Sequence, residues 1–185
     1  EKVWGRVLSN EEIASILRNW TVGEIGTISA SAGILTHYLA THPELQNRLR
    51  AGPDLAPAAI EEILRLHGPL VSNRRIAKRA VEIGGRRINA GDRITLMWIA
   101  ANRDERAFEE PDACRLDRDQ SKNLLWGAGI HICPGAPLAR LELRLFLEEL
   151  LSRTSEVSLS STKKTKFAVF PASGFSVLPV RVKSA

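Results

Sequence analysis

The chain has 185 residues, 44% of them hydrophobic and 25% charged, the composition of a globular domain. Its net charge of +5 permits an acidic partner, but the basic residues are scattered (Arg74, Arg75, Lys78 and Arg79; Arg86 and Arg87; Lys163, Lys164 and Lys166) without interleaved aromatics, which argues against nucleic-acid binding. No apolar run approaches the roughly 18 residues of a membrane span, the opening EKVWGRVLSNEE is no signal peptide, and Cys114 and Cys133 make no disulfide framework; the expectation is a soluble, cytoplasmic protein.

In chain order, Ser9 and Glu12 have capping-box spacing and open a long helix over 9–42 that Pro43 closes. Gly23 and Gly26 weaken its middle, at a cost of about 1 kcal/mol each relative to alanine. Such a pair predicts a bulge or a close approach by another group. Residues 43–51 read as a short helix. A further helix over 54–67 is capped by Asp54 and ended by Gly68, with Ile60, Ile63, Leu64 and His67 on one face. Short strands are expected at 80–85, 86–89 and 92–100, joined by turns at Gly84-Gly85 and Ala90-Gly91-Asp92. Residues 102–123 are charged and irregular. A glycine- and proline-rich loop then leads into a helix ending at 153, apolar almost all round and therefore expected to be buried. Weak alternation over 166–182 suggests closing strands. The class is mainly α with small β-sheets (α+β), in one domain over residues 1–185.

The loop LLWGAGIHICPGAPLARLE, residues 124–142, raises the question of what Cys133 does. A small buried hydrophobe, half of a disulfide, or a thiolate ligand are all compatible with a lone cysteine. A turn's N–H groups and the positive end of the following helix both stabilise a thiolate. Gly127, Gly129 and Gly135 let the backbone approach a flat object without intervening Cβ atoms. His131 could donate to an anion at that object's edge. These residues alone leave a structural cysteine and a ligand both open.

The spacing Trp126-Gly127-x-Gly129-x-His131-x-Cys133-x-Gly135, followed by APLARLE, closely resembles the haem-binding loop of the cytochrome P-450 family. That family has Phe, Gly, Gly, His or Arg, Cys and Gly at these places, so Trp126 stands in for the Phe. Glu62-x-x-Arg65 resembles the family's Glu-x-x-Arg helix, where two side chains three residues apart share a face. RIAKRAVEIGG, from Arg75, resembles the segment whose leading arginine meets a haem propionate. Residues 100–118 resemble the meander, assigned here to 102–123. In it Arg118 would complete a buried network with Glu62 and Arg65, and Cys114 takes the place of a Phe as a small core residue.

The resemblance implies the C-terminal half of the cytochrome P-450 fold. It implies haem b (iron protoporphyrin IX) bound through the Cys133 thiolate, with Trp126, Gly127 and Gly135 against the macrocycle and Arg75 and His131 pairing with its propionates. The implied activity is that of a haem-thiolate monooxygenase, which inserts one oxygen atom from dioxygen into a small organic substrate with electrons from a ferredoxin or flavoprotein reductase. Thr27 matches the family's oxygen-side threonine. Gly26 replaces the acid that usually precedes it, and Glu24, three residues before Thr27, is the candidate substitute for proton delivery. Family members are about twice as long, so the N-terminal half of the fold is missing and apolar helix faces should be bare. They would be covered by that half or by self-association. The alternative is a truncated or split non-catalytic fragment that binds haem weakly or not at all. No Cys-x-x-Cys or His-x-x-x-His spacing supports a zinc site.

Overall fold

In the computed structural model, residues 2–3, 5–170 and 172–185 are described. The chain enters through a two-stranded ribbon, β1 (Lys2–Val3) and β2 (Arg6–Val7). The capping box then forms: the Glu12 N–H donates to Ser9 Oγ at 3.2 Å, and the Ser9 N–H donates to Glu12 Oε2 at 2.9 Å. Helix α1 (Asn10–Thr21) follows, passes without a break through a π-helical turn (Val22–Gly26), and continues as α2 (Thr27–Thr41). Both weakening glycines fall in the π turn, where the helix is locally widened. A Cβ at Gly23 or Gly26 would meet no protein atom within 4 Å, so packing within the chain does not require glycine there.

His42 leaves helical geometry, and Pro43 starts α3 (Pro43–Ala51), where proline's missing N–H costs nothing. Gln46 on α3 is buried and holds three elements together. Its Nε2 donates to the carbonyls of Leu39 and Val157 at 2.7 Å each, and its Oε1 accepts from the Val157 N–H at 3.0 Å. Helix α4 (Ala56–His67) is preceded by a 3-10 turn over Pro53–Leu55. Asp54 lies inside that turn and caps nothing, because Pro53 begins the turn one residue before it. Ile60, Ile63 and Leu64 are buried, whereas His67, in the last turn before Gly68, is exposed.

Strand β3 (Ser72–Ile76) pairs antiparallel with β6 (Arg93–Met97), setting Arg75 opposite Ile94. Between them the hairpin of β4 (Val81–Ile83) and β5 (Arg86–Ile88) turns at Gly84 and Gly85, whose φ values of 57° and 74° suit a type I′ turn. β6 is shorter than the expected strand over 92–100. The chain turns at Trp98 into the short helix α5 (Trp98–Ala101), with the Trp98 indole N–H bonded to Asn73 Oδ1 at 2.6 Å. Helix α6 (Ala136–Arg153) runs directly into β7 (Thr154–Leu159), which pairs with β10 (Val180–Ser184). The hairpin of β8 (Lys166–Phe167) and β9 (Phe175–Val177) lies between them in sequence.

The core lies where α2, α3, α4 and α6 meet, around Leu35, Leu39, Leu49, Ile60, Ile63, Leu64, Leu143 and Leu147. The expectation that α6 is buried all round is corrected. It buries one seam (Ala136, Leu143, Leu147 and Leu151), while Leu138, Leu141 and Leu145 are 40%, 45% and 47% exposed. No residue of α1 is buried, and Ile13, Ile16, Leu17 and Trp20 lie exposed along it. No described helix is long and apolar enough to cross a membrane.

The β8–β9 hairpin sits on α2 through Gly174, which has φ of +86°. A Cβ there would stand 3.2 Å from Ile34 Cγ1 and 3.4 Å from the Ala30 carbonyl. Gly174→Ala therefore combines left-handed strain with a steric push. It is expected to lower unfolding free energy by about 1–3 kcal/mol in urea denaturation, whereas Gly84→Ala meets open space and adds strain alone.

Candidate functional site

The site is built outward from a buried charge. Glu62 and Arg65 on α4 have fully buried side chains and pair in a fork, with Arg65 Nε donating to Oε2 and Nη2 to Oε1 at 2.8 Å each. Arg118 Nε donates to Glu62 Oε1 at 2.8 Å, the Arg115 N–H to the same oxygen at 3.0 Å, and Gln120 Nε2 to Oε2 at 3.0 Å. Burial pushes the Glu62 pKa up, but these donors outweigh it and bring it down to about 2. The two guanidiniums use their remaining N–H groups on the irregular segment. Arg65 reaches the carbonyls of Asn102 and Pro111 at 2.6 and 2.8 Å, and Arg118 those of Glu109 and Glu110 at 2.6 and 3.0 Å. Glu110 is held at φ of +44°, uncommon for a residue with a side chain. The Phe108 ring lies 5.0 Å from the Arg65 guanidinium.

This network extends to the cysteine loop. Asn102, whose carbonyl Arg65 grips, accepts the Leu124 N–H on Oδ1 at 2.8 Å and donates Nδ2 to Asn123 Oδ1 at 3.0 Å. That same Asn123 oxygen accepts the Leu125 N–H at 2.9 Å. The loop then bends so that the Cys133 N–H reaches the Trp126 carbonyl at 2.8 Å. Gly127, at φ of +76°, makes the bend possible, since a Cβ there would lie 3.2 Å from the His131 carbonyl. A Cβ on Gly135 would sit 3.8 Å from Cys133 Sγ, just ahead of the first turn of α6.

Cys133 faces a cavity of about 450 Å³, and most of the residues singled out in the sequence line it. The Cys loop contributes Trp126, Gly127, His131, Cys133 and Gly135, the β3 strand contributes Arg75, and the α1–α2 helix contributes Gly23, Glu24 and Thr27. Glu62, Arg65 and Arg118 do not line it; they stand behind the loop. Cys133 and Cys114 are both free thiols. Cys114 packs half-buried against the core, where burial raises its pKa. Among the described residues no group of three His, Cys, Asp or Glu side chains could hold a metal ion.

Thr27 and Glu24 share the cavity but do not bond to each other. The Thr27 hydroxyl donates to the Gly23 carbonyl. Glu24 lies instead against Glu142 of α6, whose Oε2 is buried without a hydrogen-bond partner; burial first, then the Glu24 carboxyl, raise the Glu142 pKa. Glu142, Trp20, Asn73 and Trp98 also line the cavity and were not singled out in the sequence. Each lies on an element whose packing alone brings it there. The nearest sequence signal for Glu142 was its place in APLARLE, directly after the cysteine turn.

A haem group requires one axial ligand, close-approaching backbone on that side, and cations for two propionates. The cavity offers one thiol, Gly127 and Gly135 beside it, and Arg75 and His131 on its lining. The π turn opposite carries a Gly23 that no protein atom crowds. The residues present fit the group.

A single thiol with glycines beside it and an arginine and a histidine on the same lining suits a haem-thiolate site, and comparison with known proteins gives the family. The family described as Cytochrome P450 matches residues 54–183. Cyclomarin C epoxidase CymV of Salinispora arenicola is 38% identical over 160 residues, which is 86% of this chain and 40% of that protein. The crystal structure of CYP108D1 from Novosphingobium aromaticivorans superposes with a TM-score of 0.92 at 34% identity, covering 100% of this chain and 45% of that one. CYP109E1 from Bacillus megaterium, in complex with corticosterone, gives 0.92 at 30% identity, covering 97% and 49%. The chain belongs to the cytochrome P450 family, whose members carry haem b, and it spans half or less of the length of these relatives.

Two predictions follow from the charges. Glu62→Gln leaves two buried guanidiniums short of their counter-charge and should cost about 3–5 kcal/mol in denaturant unfolding. Because the folded pKa of Glu62 is depressed, its stabilisation is present above pH 4.5 and lost as pH falls from there towards 2. Glu142 has the opposite sign. Its raised folded pKa favours folding below its ordinary value of 4.5 and works against folding as pH rises through the folded value. Glu142→Gln should therefore raise the melting temperature at pH 8, with the gain shrinking as pH falls towards 4.5.

Proposed function

We propose that this chain forms the haem-binding part of a monooxygenase that transfers one oxygen atom from dioxygen to a small organic substrate. The observation that carries the reading is the shared cavity, which Cys133, Thr27 and Glu24 all line. When bound, haem supplies the dioxygen activation, and a thiolate ligand favours O–O cleavage. The chain's own residues hold, shield and protonate.

Cys133 would ligate the iron from the head of α6, while Gly127 and Gly135 keep the adjacent surface free of Cβ atoms. Arg75 and His131 would hold the propionates through charge-assisted bonds. Ile28, Leu64, Leu96, Leu125 and Leu138 line the cavity with apolar surface and limit water. Thr27 presents its hydroxyl oxygen to the cavity while its proton is held by the Gly23 carbonyl. Glu24, on the cavity lining beside Glu142, is the proton source in place of an acid at position 26.

Electrons come from a ferredoxin or flavoprotein reductase on the cysteine side, where Ile130 and Ile132 are 96% and 60% exposed. The bare apolar faces of α1 and α6 are covered by the remaining part of the fold that the relatives carry, and two free thiols suit the cytoplasm. The same bare faces favour one other reading for the chain by itself: a fragment that binds haem weakly and self-associates.

Absorption spectroscopy of the haem-loaded protein separates these readings. The ferrous carbon monoxide complex should show the red-shifted Soret band of thiolate ligation with one haem per polypeptide, and Cys133→Ala should abolish it. Absence of stoichiometric haem, together with elution as an oligomer, would favour the fragment. Thr27→Ala should lower product formed per electron consumed several-fold while leaving the Soret band in place; an unchanged ratio removes Thr27 from proton delivery.

A further inference from the structure

Trp126 is gripped from two sides. Its indole N–H donates to both oxygens of Glu61, at 3.0 Å each. Arg140 Nε donates to Glu61 Oε1 at 2.6 Å, and its guanidinium lies over the indole ring, 4.9 Å from the centroid. Glu61 is largely buried, with 15% of its side chain exposed, so its carboxylate is fixed between the two donors. The Trp126 backbone is fixed as well, because its carbonyl accepts the Cys133 N–H at 2.8 Å. Trp126 belongs to two spaces. It lines the cavity that Cys133 faces, and also an outer groove of about 600 Å³ shared with Glu61 and Arg140.

The direction of that N–H has a consequence at the sulfur. A donor aimed at a ligating sulfur withdraws charge from it and raises the potential of the metal, and partners of the ligand's neighbours tune such sites. An indole on the same cavity lining as a ligating thiolate can meet its sulfur as a ring or as a donor. Here its only N–H is committed to Glu61.

We propose that Glu61 and Arg140 are positioning residues that withhold the Trp126 indole N–H from the Cys133 sulfur, so that the tryptophan shields the thiolate without drawing charge from it. This rests on the assignment of Cys133 as the haem ligand. The clamp works through a hydrogen bond and ring stacking, so what matters is an acceptor at position 61 more than a charge there.

The midpoint potential of the haem-loaded protein tests it. Glu61→Ala removes the acceptor, frees the indole N–H and should shift the potential to more positive values. Glu61→Gln keeps an acceptor oxygen and should stay close to the parent protein. In a Trp126→Phe background, Glu61→Ala should produce no shift. A shift that persists without the tryptophan, or one that Glu61→Gln reproduces in full, means that Glu61 acts by charge alone and overturns the proposal.

A second readout needs no haem. The Trp126 contribution to indole emission, taken as the chain minus its Trp126→Phe variant, should change in Glu61→Ala; unchanged emission overturns the clamp. Loss of the thiolate-type carbon monoxide spectrum in the parent protein would overturn the haem assignment itself, and this is visible before any variant is made.

Discussion

A carboxylate with no access to water sets the terms for much of this structure. Glu62 carries its charge in the core, where isolation would cost several kcal/mol, and it is stable only because Arg65, Arg118, Gln120 and a backbone N–H all converge on it. Those donors come from the helix itself and from a segment with little regular structure. Satisfying one buried charge therefore fixes the path of residues that could not fix themselves. Glu110 adopts its unusual φ within that path, and the carbonyls around it have the two arginines as partners.

From this anchor the order passes to the cysteine loop through two asparagines. Asn102 is held by Arg65 at its carbonyl and holds Leu124 with its side chain, and Asn123 continues to Leu125. The bend at Gly127 then returns the chain so that Cys133 is tied to Trp126. The thiol is thus placed by a hydrogen-bonded relay that begins in the core. The long helix widens at Val22–Gly26, and the cavity it shares with the loop collects Cys133, His131, Arg75, Thr27, Glu24 and Glu142. The apolar face of α1 and the outer face of α6 lie outside this organisation and remain uncovered.

Much of this was legible in the sequence where a residue type answers a local demand. Ser9 with Glu12, Pro43, Gly68 and the Gly84-Gly85 turn each mark a boundary because capping geometry or positive φ admits few residues. The pair Gly23 and Gly26 marked the π turn for a different reason: two poor helix formers so close together weaken regular helix at that point. Asp54 misled because a neighbouring proline started the helix approach earlier. Strand β3 was hidden by the polar run Ser72-Asn73-Arg74-Arg75, and β7 by having only Val157 and Leu159 as apolar residues. The composition of α6 pointed to burial on all sides, but burial depends on what surrounds a helix, and within this chain only one seam finds partners. In the site, spacing singled out Cys133, His131 and Arg75. It could not show that Glu24 leans on Glu142 rather than on Thr27, because that choice depends on how α6 crosses beneath the long helix.

The central claim is that the sulfur of Cys133 bonds the iron of a haem. Iron-edge X-ray absorption of the haem-loaded protein tests it most directly. The account predicts one sulfur scatterer in the first coordination shell, lost when Cys133 is replaced by serine. A first shell of nitrogen and oxygen alone in the unaltered protein, or a sulfur that persists in the serine variant, would contradict it.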